Sequence, residues 1–433
     1  MTHKIKNFGE LAVTPGRRLA LEIAESGLAA IDTKAVVRQA VSFRNGSLCI
    51  QNKICALEET KRVFVVAVGK CAIESAHALE DVLGDYLTGG IALDVEHRSD
   101  CKFKKIECIV GTHPMPSDAN VDATKKIIKL LSGLKESDLV IFAISGGGST
   151  LLCLPEEGYT CLDEKLLLGE LFKKGATIQE INILRKHMSL ARGGYLAKHA
   201  YPAQIISLIF SDVPGNDIGM VASGPTVKDA TTVEDADRIL EKYDLLRACK
   251  IEHCGLIETP KEDKYFERVL NILIASNRIA LEAMAATAAL KGYRARIVTD
   301  ELVGEARDVG AEIVKKLHKE PGKTMLLYGG ETTVTITKPG KGGRNQELAL
   351  SALRFVKDDE MVMPVASDGR DHSDFAGAIA DGEAKKRMAK AGLTVEPFLE
   401  AHDPYTFFQN TGDFLMTGDT GSNVSDLIIA IKT

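Results

Sequence analysis

The sequence predicts an α/β fold with a mainly parallel sheet, on three observations. Three short runs are apolar along nearly their whole length: RVFVVAV at 62–68, LVIFAI at 139–144 and QIISLIF at 204–210. Strands apolar on both faces belong to parallel sheets covered by helices. Segments of helical period separate these runs, the alternation that builds parallel sheets. Each run also stops at a turn of glycine, serine, lysine or aspartate, and such sheets bind ligands beyond the carboxyl ends of their strands.

Taken in order, 15–31 carries a helical stripe of Leu19, Ala20, Ile23, Ala24 and Leu28. The strand 62–68 turns at Gly69-Lys70 into a helix over 71–83. Strands follow at 90–95 and 107–111, then a helix over 120–134 that feeds the strand at 139. Helices are expected over 164–174 and 178–200, then the strand 204–210 and an amphipathic helix over 232–246. Residues 250–263 are polar and irregular, with Gly255 and Pro260, and read as a linker. Beyond it, strands at 269–275, 294–299, 324–329, 332–337, 361–367 and 427–431 form a second set, with helices over 277–291 and 305–318. The expected layout is therefore an N-terminal α/β domain over 1–249 and a second α/β domain over 264–433.

Composition excludes several classes. A chain of 433 residues with 45% hydrophobic and 26% charged content has ample core for two or three domains. Its formal charge of −6 argues against a general nucleic-acid binder. No apolar run reaches the length of a membrane span, and MTHKIKNFGE lacks the apolar stretch of a signal peptide, so a cytoplasmic protein is expected. Nine cysteines include no C-x-x-C pair, so neither a zinc site nor a disulfide framework is expected and the thiols read as reduced.

The most informative turn is Ser145-Gly146-Gly147-Gly148-Ser149-Thr150, directly after a buried strand. Glycines let a backbone approach an anion closely, and successive N–H groups form a nest for phosphate. The hydroxyls of Ser145, Ser149 and Thr150 add donors. The two common nucleotide fingerprints fail. Leu151 stands where a G-x-G-x-x-G loop needs its third glycine. Gly322-Lys323-Thr324 ends like a Walker A loop, but Leu317 occupies the position of its first glycine.

Five other turns carry candidate groups. Lys70 follows a strand and opens a helix, where a lysine can reach an anion. Asp212 in SDVPG stands where a general base, a metal ligand or a turn cap would stand. Arg344 in GGRNQE offers a planar fork for carboxylate or phosphate. Asp368, Asp371, His372 and Asp374 form an acid-rich turn of the kind that holds Mg²⁺, and Thr417–Val424 is a loop of small polar residues. His113, Arg185 and His187 are further candidates, with Arg185-Lys186-His187 expected as a solvated face unless it borders the site.

Order and wording of these turns resemble the glycerate 2-kinase family, whose C-terminal part is called the MOFRL domain. The matching segments are VGKCA (68–72), GTHPMPSDAN (111–120), ISGGGSTLL (144–152), INILRKHMSLARGGYLA (181–197) and SDVPGNDIGMVASGPT (211–226). They continue with YGGETTVTI (328–336), GGRNQELAL (342–350), SDGRDHSDFAGA (367–378) and TGDTGSNVSDL (417–427), so the resemblance spans nearly the whole chain. It implies a Rossmann-like N-terminal domain, a second α/β domain and an active-site cleft between them; with candidate residues in both halves, closure that excludes water is expected. The implied reaction is ATP-dependent phosphorylation of D-glycerate at its 2-hydroxyl, with Mg²⁺. The family's catalytic positions carry over to Lys70, Asp212 and Arg344, and the turn 145–150 is the expected ATP-phosphate cradle. Asn216, Asp371-His372-Ser373 and Asp419 depart from the family pattern, and no metal ligand is assigned. The alternative is an NAD(P)H-dependent hydroxypyruvate reductase, and a non-catalytic sensor of small acids is a third class. No nucleic-acid or membrane partner is expected.

Overall fold

A computed structural model of the chain describes residues 3–44, 47–51, 53–55, 61–95 and 102–433. They form two compact units. One comprises residues 33–211 and 217–274, the other 1–32, 212–216 and 275–433.

The first unit holds a small antiparallel sheet of β1 (Val41–Arg44), β2 (Ser47–Ile50) and β3 (Lys53–Cys55). Its main sheet contains β4 (Arg62–Val68), β5 (Leu87–Asp94), β6 (Ile106–Val110), β7 (Asp138–Ile144), β8 (Gln204–Phe210) and β9 (Val269–Ala275), in the order β6-β5-β4-β7-β8-β9. The pairs from β6 through β8 are parallel. Every residue of β7 is buried, as the uninterrupted apolar run requires of a central strand covered on both faces. The carboxyl ends of the neighbours β4 and β7 therefore lie side by side, with Val68 in register with Ile144.

The second unit is built on β10 (Arg294–Leu302), β11 (Thr324–Gly330), β12 (Glu360–Ala366), β13 (Gly377–Ala378), β14 (Ala380–Asp381), β15 (Phe414–Leu415) and β16 (Asp426–Lys432). The order is β10-β11-β16-β12-β13-β15, with β14 also on β12. β10 and β11 are parallel, but β16 runs antiparallel to both β11 and β12. The last strand of the chain thus occupies the middle of this sheet, which explains its apolar sequence DLIIAIK.

Several expectations are corrected. Residues 332–337 are not a strand: Thr333 makes one isolated bridge to Glu305, and Thr335 gives its N–H and hydroxyl to the Glu305 carboxylate at 2.8 and 3.0 Å. The helix expected over 178–200 breaks into Ile178–Lys186 and Tyr195–Ala200; the first ends at His187, and Gly193 and Gly194, both at positive φ, lead into the second. Residues 250–263 fall inside the first unit, and β9 joins its sheet through a place beside β8.

The N-terminal segment packs with the second unit. Arg17, fully buried, gives a two-bond fork to Asp381 at 2.7 and 2.7 Å and pairs with Asp413 at 2.8 Å. Gly27 of the same helix touches the helix Asn277–Leu290 so closely that a Cβ would meet Met284 at 2.7 Å. Among the described residues, Cys108 departs from the all-reduced expectation and is disulfide-bonded, whereas Cys49, Cys71, Cys153, Cys161, Cys249 and Cys254 are free thiols. Among the described residues, no helix is long and apolar enough to cross a membrane.

Candidate active site

In the first unit, the ends of β4 and β7 press together. Gly69 has φ of 111°, and a Cβ there would lie 2.3 Å from Ser145 Oγ. That contact excludes any side chain and brings the two turns into hydrogen-bonding range. The Lys70 N–H donates to the Gly146 carbonyl at 2.9 Å, and the Cys71 N–H donates to Ser145 Oγ at 3.0 Å. Lys70 is thereby seated on the glycine turn by its own backbone.

The six residues of that turn have distinct roles. Ser145 is buried, and its hydroxyl also donates to the Val68 carbonyl, so it locks the two strand ends. Thr150 is buried and donates to the Pro114 carbonyl at 3.2 Å. Gly148 lies under Ala222, where an added Cβ would approach the Ala222 methyl to 2.6 Å. Gly147 has φ of 85°, half-buried, with space bounded by Lys70 and His113. Ser149 is half-buried and shares a 2.9 Å hydrogen bond with Ser223. Among the described residues, the N–H groups of Gly146 and Gly147 have no acceptor. The groups open to a ligand are thus those two amides and the Ser149 hydroxyl.

His113 belongs to the same neighbourhood. His113 is exposed at its surface yet crowded on its inner side; that partial desolvation, then the charges of Lys70 and Arg185, lower its imidazole pKa and keep it neutral at pH 7. His187 lies elsewhere: it is fully buried, with Nδ1 at 2.9 Å from the Ile257 carbonyl and Nε2 at 3.1 Å from Thr231 Oγ1. Lys186 pairs with Asp229 at 2.9 Å. At Lys186 and His187 the expected solvated basic face is instead a buried polar network with Asp229 and Thr231.

In the second unit, Asp212 and Arg344 are both held by residues 423–426. The Asn423 amide donates to Asp212 Oδ2 at 2.9 Å, and Ser425 Oγ donates to the Asp212 carbonyl at 2.6 Å. Arg344 gives its Nε and Nη2 to the two oxygens of buried Asp426, at 2.5 and 3.2 Å. Its Nη1 meets Glu331. Burial alone would lower the Arg344 pKa; the Asp426 carboxylate overrides it and holds the guanidinium above the usual arginine range. Arg344 also lines a cavity of about 600 Å³, shared with Glu331, Thr333, Lys341, Glu347 and His402.

The acid-rich turn has a structural use. Asp371 Oδ1 accepts the Asn345 N–H at 3.1 Å and Oδ2 accepts the Gln346 N–H at 2.8 Å, so it caps the helix Arg344–Leu353. A Cβ at Gly343 would meet Asp371 Oδ1 at 2.2 Å, which explains that glycine. Complete burial, with the nearby Asp426 charge second, raises the Asp371 carboxyl to about 7 despite these donors. Asp426 lies inside the matching segment TGDTGSNVSDL, yet the resemblance gives it no site role there; its further signal is an acid directly before an apolar strand.

The family described as a domain of unknown function (DUF4147) matches residues 19–253, and the MOFRL family matches residues 324–426. The chain is 41% identical to a glycerate 2-kinase of Pyrococcus horikoshii, over 96% of this chain and 97% of that protein. It is 35% identical to a D-glycerate 2-kinase of Thermotoga maritima, over 96% of this chain and 98% of that one. A crystal structure of glycerate kinase from Thermotoga maritima superposes with a TM-score of 0.83 at 33% identity, covering 96% of this chain and 99% of that one.

Proposed function

We propose a function from one premise: the chain belongs to the glycerate 2-kinase family. It transfers the γ-phosphoryl group of ATP to the 2-hydroxyl of D-glycerate, giving 2-phosphoglycerate and ADP. In this molecule the reading is carried by the seating of Lys70 on the Gly146–Gly147 turn, beside two N–H groups without acceptors among the described residues. Such a set suits phosphate oxygens. Phosphoryl transfer asks a protein mainly for positioning and charge neutralisation.

Each group has a role consistent with its surroundings. The amides of Gly146 and Gly147 and the Ser149 hydroxyl hold ATP phosphate oxygens; Ser145, Gly148 and Thr150 shape the turn. Lys70 neutralises charge on the group in transfer. Asp212 accepts the proton of the 2-hydroxyl as its oxygen bonds to phosphorus and the bond to the ADP oxygen breaks. Asn423 holds that carboxylate in orientation. Arg344 commits Nε and Nη2 to Asp426 and Nη1 to Glu331, so at the adjoining cavity it takes a substrate anion by exchanging the half-exposed Glu331 for it.

Magnesium is expected with the nucleotide. Among the described residues no group of three or more His, Cys, Asp or Glu side chains could hold a metal. Asp371 and Asp426 have their oxygens engaged by the helix cap and by Arg344. The ion would take its ligands largely from phosphates and water, as Mg²⁺ commonly does, and no step is assigned to it here.

The reductase alternative loses support from Leu151. That side chain is fully buried, and Gly111 packs on it so tightly that a Cβ there would lie 2.5 Å from Leu151 Cδ2. The position serves the core and leaves the dinucleotide fingerprint broken. One assay decides the function. D-glycerate with MgATP should give glycerate-dependent ADP, and phosphorus NMR should identify 2-phosphoglycerate. Hydroxypyruvate-dependent oxidation of NADH without ADP formation would reject the kinase.

A further inference from the structure

The end of the parallel sheet carries a cation that the roles above do not use. Arg185 lies in the last turn of the helix Ile178–Lys186. Its Nε is buried and has no hydrogen-bond partner. Its carbonyl accepts from Arg192 Nη1 at 2.9 Å, but among the described residues no carboxylate pairs with its guanidinium.

The fully buried arginines and Arg344 each have a carboxylate partner. Arg17 has Asp381 and Asp413, Arg192 has Glu164 at 2.9 Å, and Arg344 has Asp426. Lys186, the next residue, has Asp229. Arginine does not escape burial by losing its proton at neutral pH. Burial and the neighbouring Arg192 charge draw Arg185 down to about 10 against the pull of Glu164, so it stays charged at pH 7. Glu164 is itself paired with Arg192, and two cations beside one carboxylate leave an excess positive charge that opposes folding.

The surroundings indicate what completes it. The helix Ile178–Lys186 packs against Val221–Ser223, whose Ala222 lies on Gly148 and whose Ser223 shares a hydrogen bond with Ser149, and the charges of Arg185 and Lys70 both reach His113. At Gly147 a Cβ would lie 3.5 Å from Lys70 Cγ and 3.6 Å from His113 Cδ2. Arg185, Lys70 and a neutral imidazole therefore cluster at the glycine turn, all capable of donating hydrogen bonds to an anion.

We propose that Arg185 binds an oxyanion of a substrate, in a basic cluster with Lys70 and His113 beside the Gly146–Gly147 amides. The shared chemistry is a planar or tetrahedral oxyanion accepting from a guanidinium fork. Its source is the D-glycerate carboxylate or an ATP phosphate. Naming those two sources rests on the kinase reading; the need of Arg185 for an anion does not.

The test uses the full chain with Arg185→Gln and Arg185→Lys. KM is measured separately for D-glycerate and MgATP, and melting temperature with and without D-glycerate, MgATP or inorganic phosphate. The Gln variant should melt no lower than the parent without ligand, since an unpaired cation has been removed. One KM should rise at least about 10-fold, the scale of a lost charge-assisted bond. A rise for D-glycerate alone identifies the carboxylate. A rise for MgATP, with loss of the melting shift caused by phosphate, identifies the phosphate. The Lys variant should recover only part, because a point charge does not replace a fork. If the Gln variant folds poorly, the Lys variant decides, and wild-type KM values there overturn the proposal. Both KM values within twofold of wild type in the Gln variant also overturn it. Failure of the kinase reading would show separately, as wild-type protein without glycerate-dependent ADP formation. The Arg185-dependent shift with inorganic phosphate would still test the anion site.

Discussion

The Asn423 side-chain amide donates to the Asp212 carboxylate at 2.9 Å, while Ser425, two residues on, holds the Asp212 carbonyl at 2.6 Å. Asp212 follows the strand Gln204–Phe210, yet it is fixed by residues more than two hundred positions later. An amide donor favours the ionised carboxylate. Asn423→Ala should therefore lower kcat about 10-fold with little change in KM for MgATP. It should also move the acid limb of the pH–rate profile to higher pH, since Asp212 would bind its proton more tightly. An unshifted profile would make Asn423 a structural residue only.

Lys70→Ala and Asp212→Asn should each lower kcat at least about 100-fold, the scale of a lost charge contact or general base. Steady-state assays of ADP formation check this. Near-normal turnover in either variant would remove that residue from the chemistry.

Arg344→Lys should impair activity despite keeping the positive charge. An ammonium cannot hold both Asp426 oxygens and also keep a second donor edge at the cavity, where Nη1 now meets Glu331. A rise in KM or a fall in kcat of about 10-fold or more is expected. Wild-type values for both constants would sink the clamp.

Asp371 predicts a pH dependence of stability. Its folded-state value of about 7 lies above the ordinary carboxylate value. The folded chain thus binds more protons than the unfolded chain between about pH 4 and 7, and stability falls as pH rises through that window. Asp371→Asn should flatten the slope, by up to a few kcal/mol in total. Melting temperatures of both proteins from pH 4 to 8 measure it; identical slopes would contradict the assignment.

Gly148→Ala tests the packing role of the third glycine. Its added methyl would lie 2.6 Å from that of Ala222. Overpacking of this kind costs about 1–3 kcal/mol. Chemical denaturation should show the loss, and an unchanged midpoint would mean that the Ala222 segment moves aside freely.

Much of this architecture was legible in the residue order. The apolar runs at 62–68, 139–144 and 204–210 are neighbouring strands of one sheet, as their uniform hydrophobicity implied. The Gly-rich and Asp-containing turns lie at strand ends because local turn chemistry is written in consecutive residues. What eluded the sequence depends on distant partners. Residues 332–337 have strand-like composition, but Glu305 takes the Thr335 donors that a ladder would need. Asp371 is an acid in a turn by sequence and a helix cap by structure, because only folding puts the start of the helix Arg344–Leu353 over it.

The sequence by itself determined the α/β class, the strand-end turns and the set of charged groups they carry. Only the tertiary structure decided which of those groups are spent inside the protein. Ser145, Thr150 and Asp371 are engaged by backbone partners, and Arg344 has one edge committed to Asp426. Arg185, which looked like one more surface cation, has a buried Nε with no partner. The physical reason is that a hydrogen bond or ion pair depends on distance in space, and sheet pairing brings together residues that the chain keeps far apart.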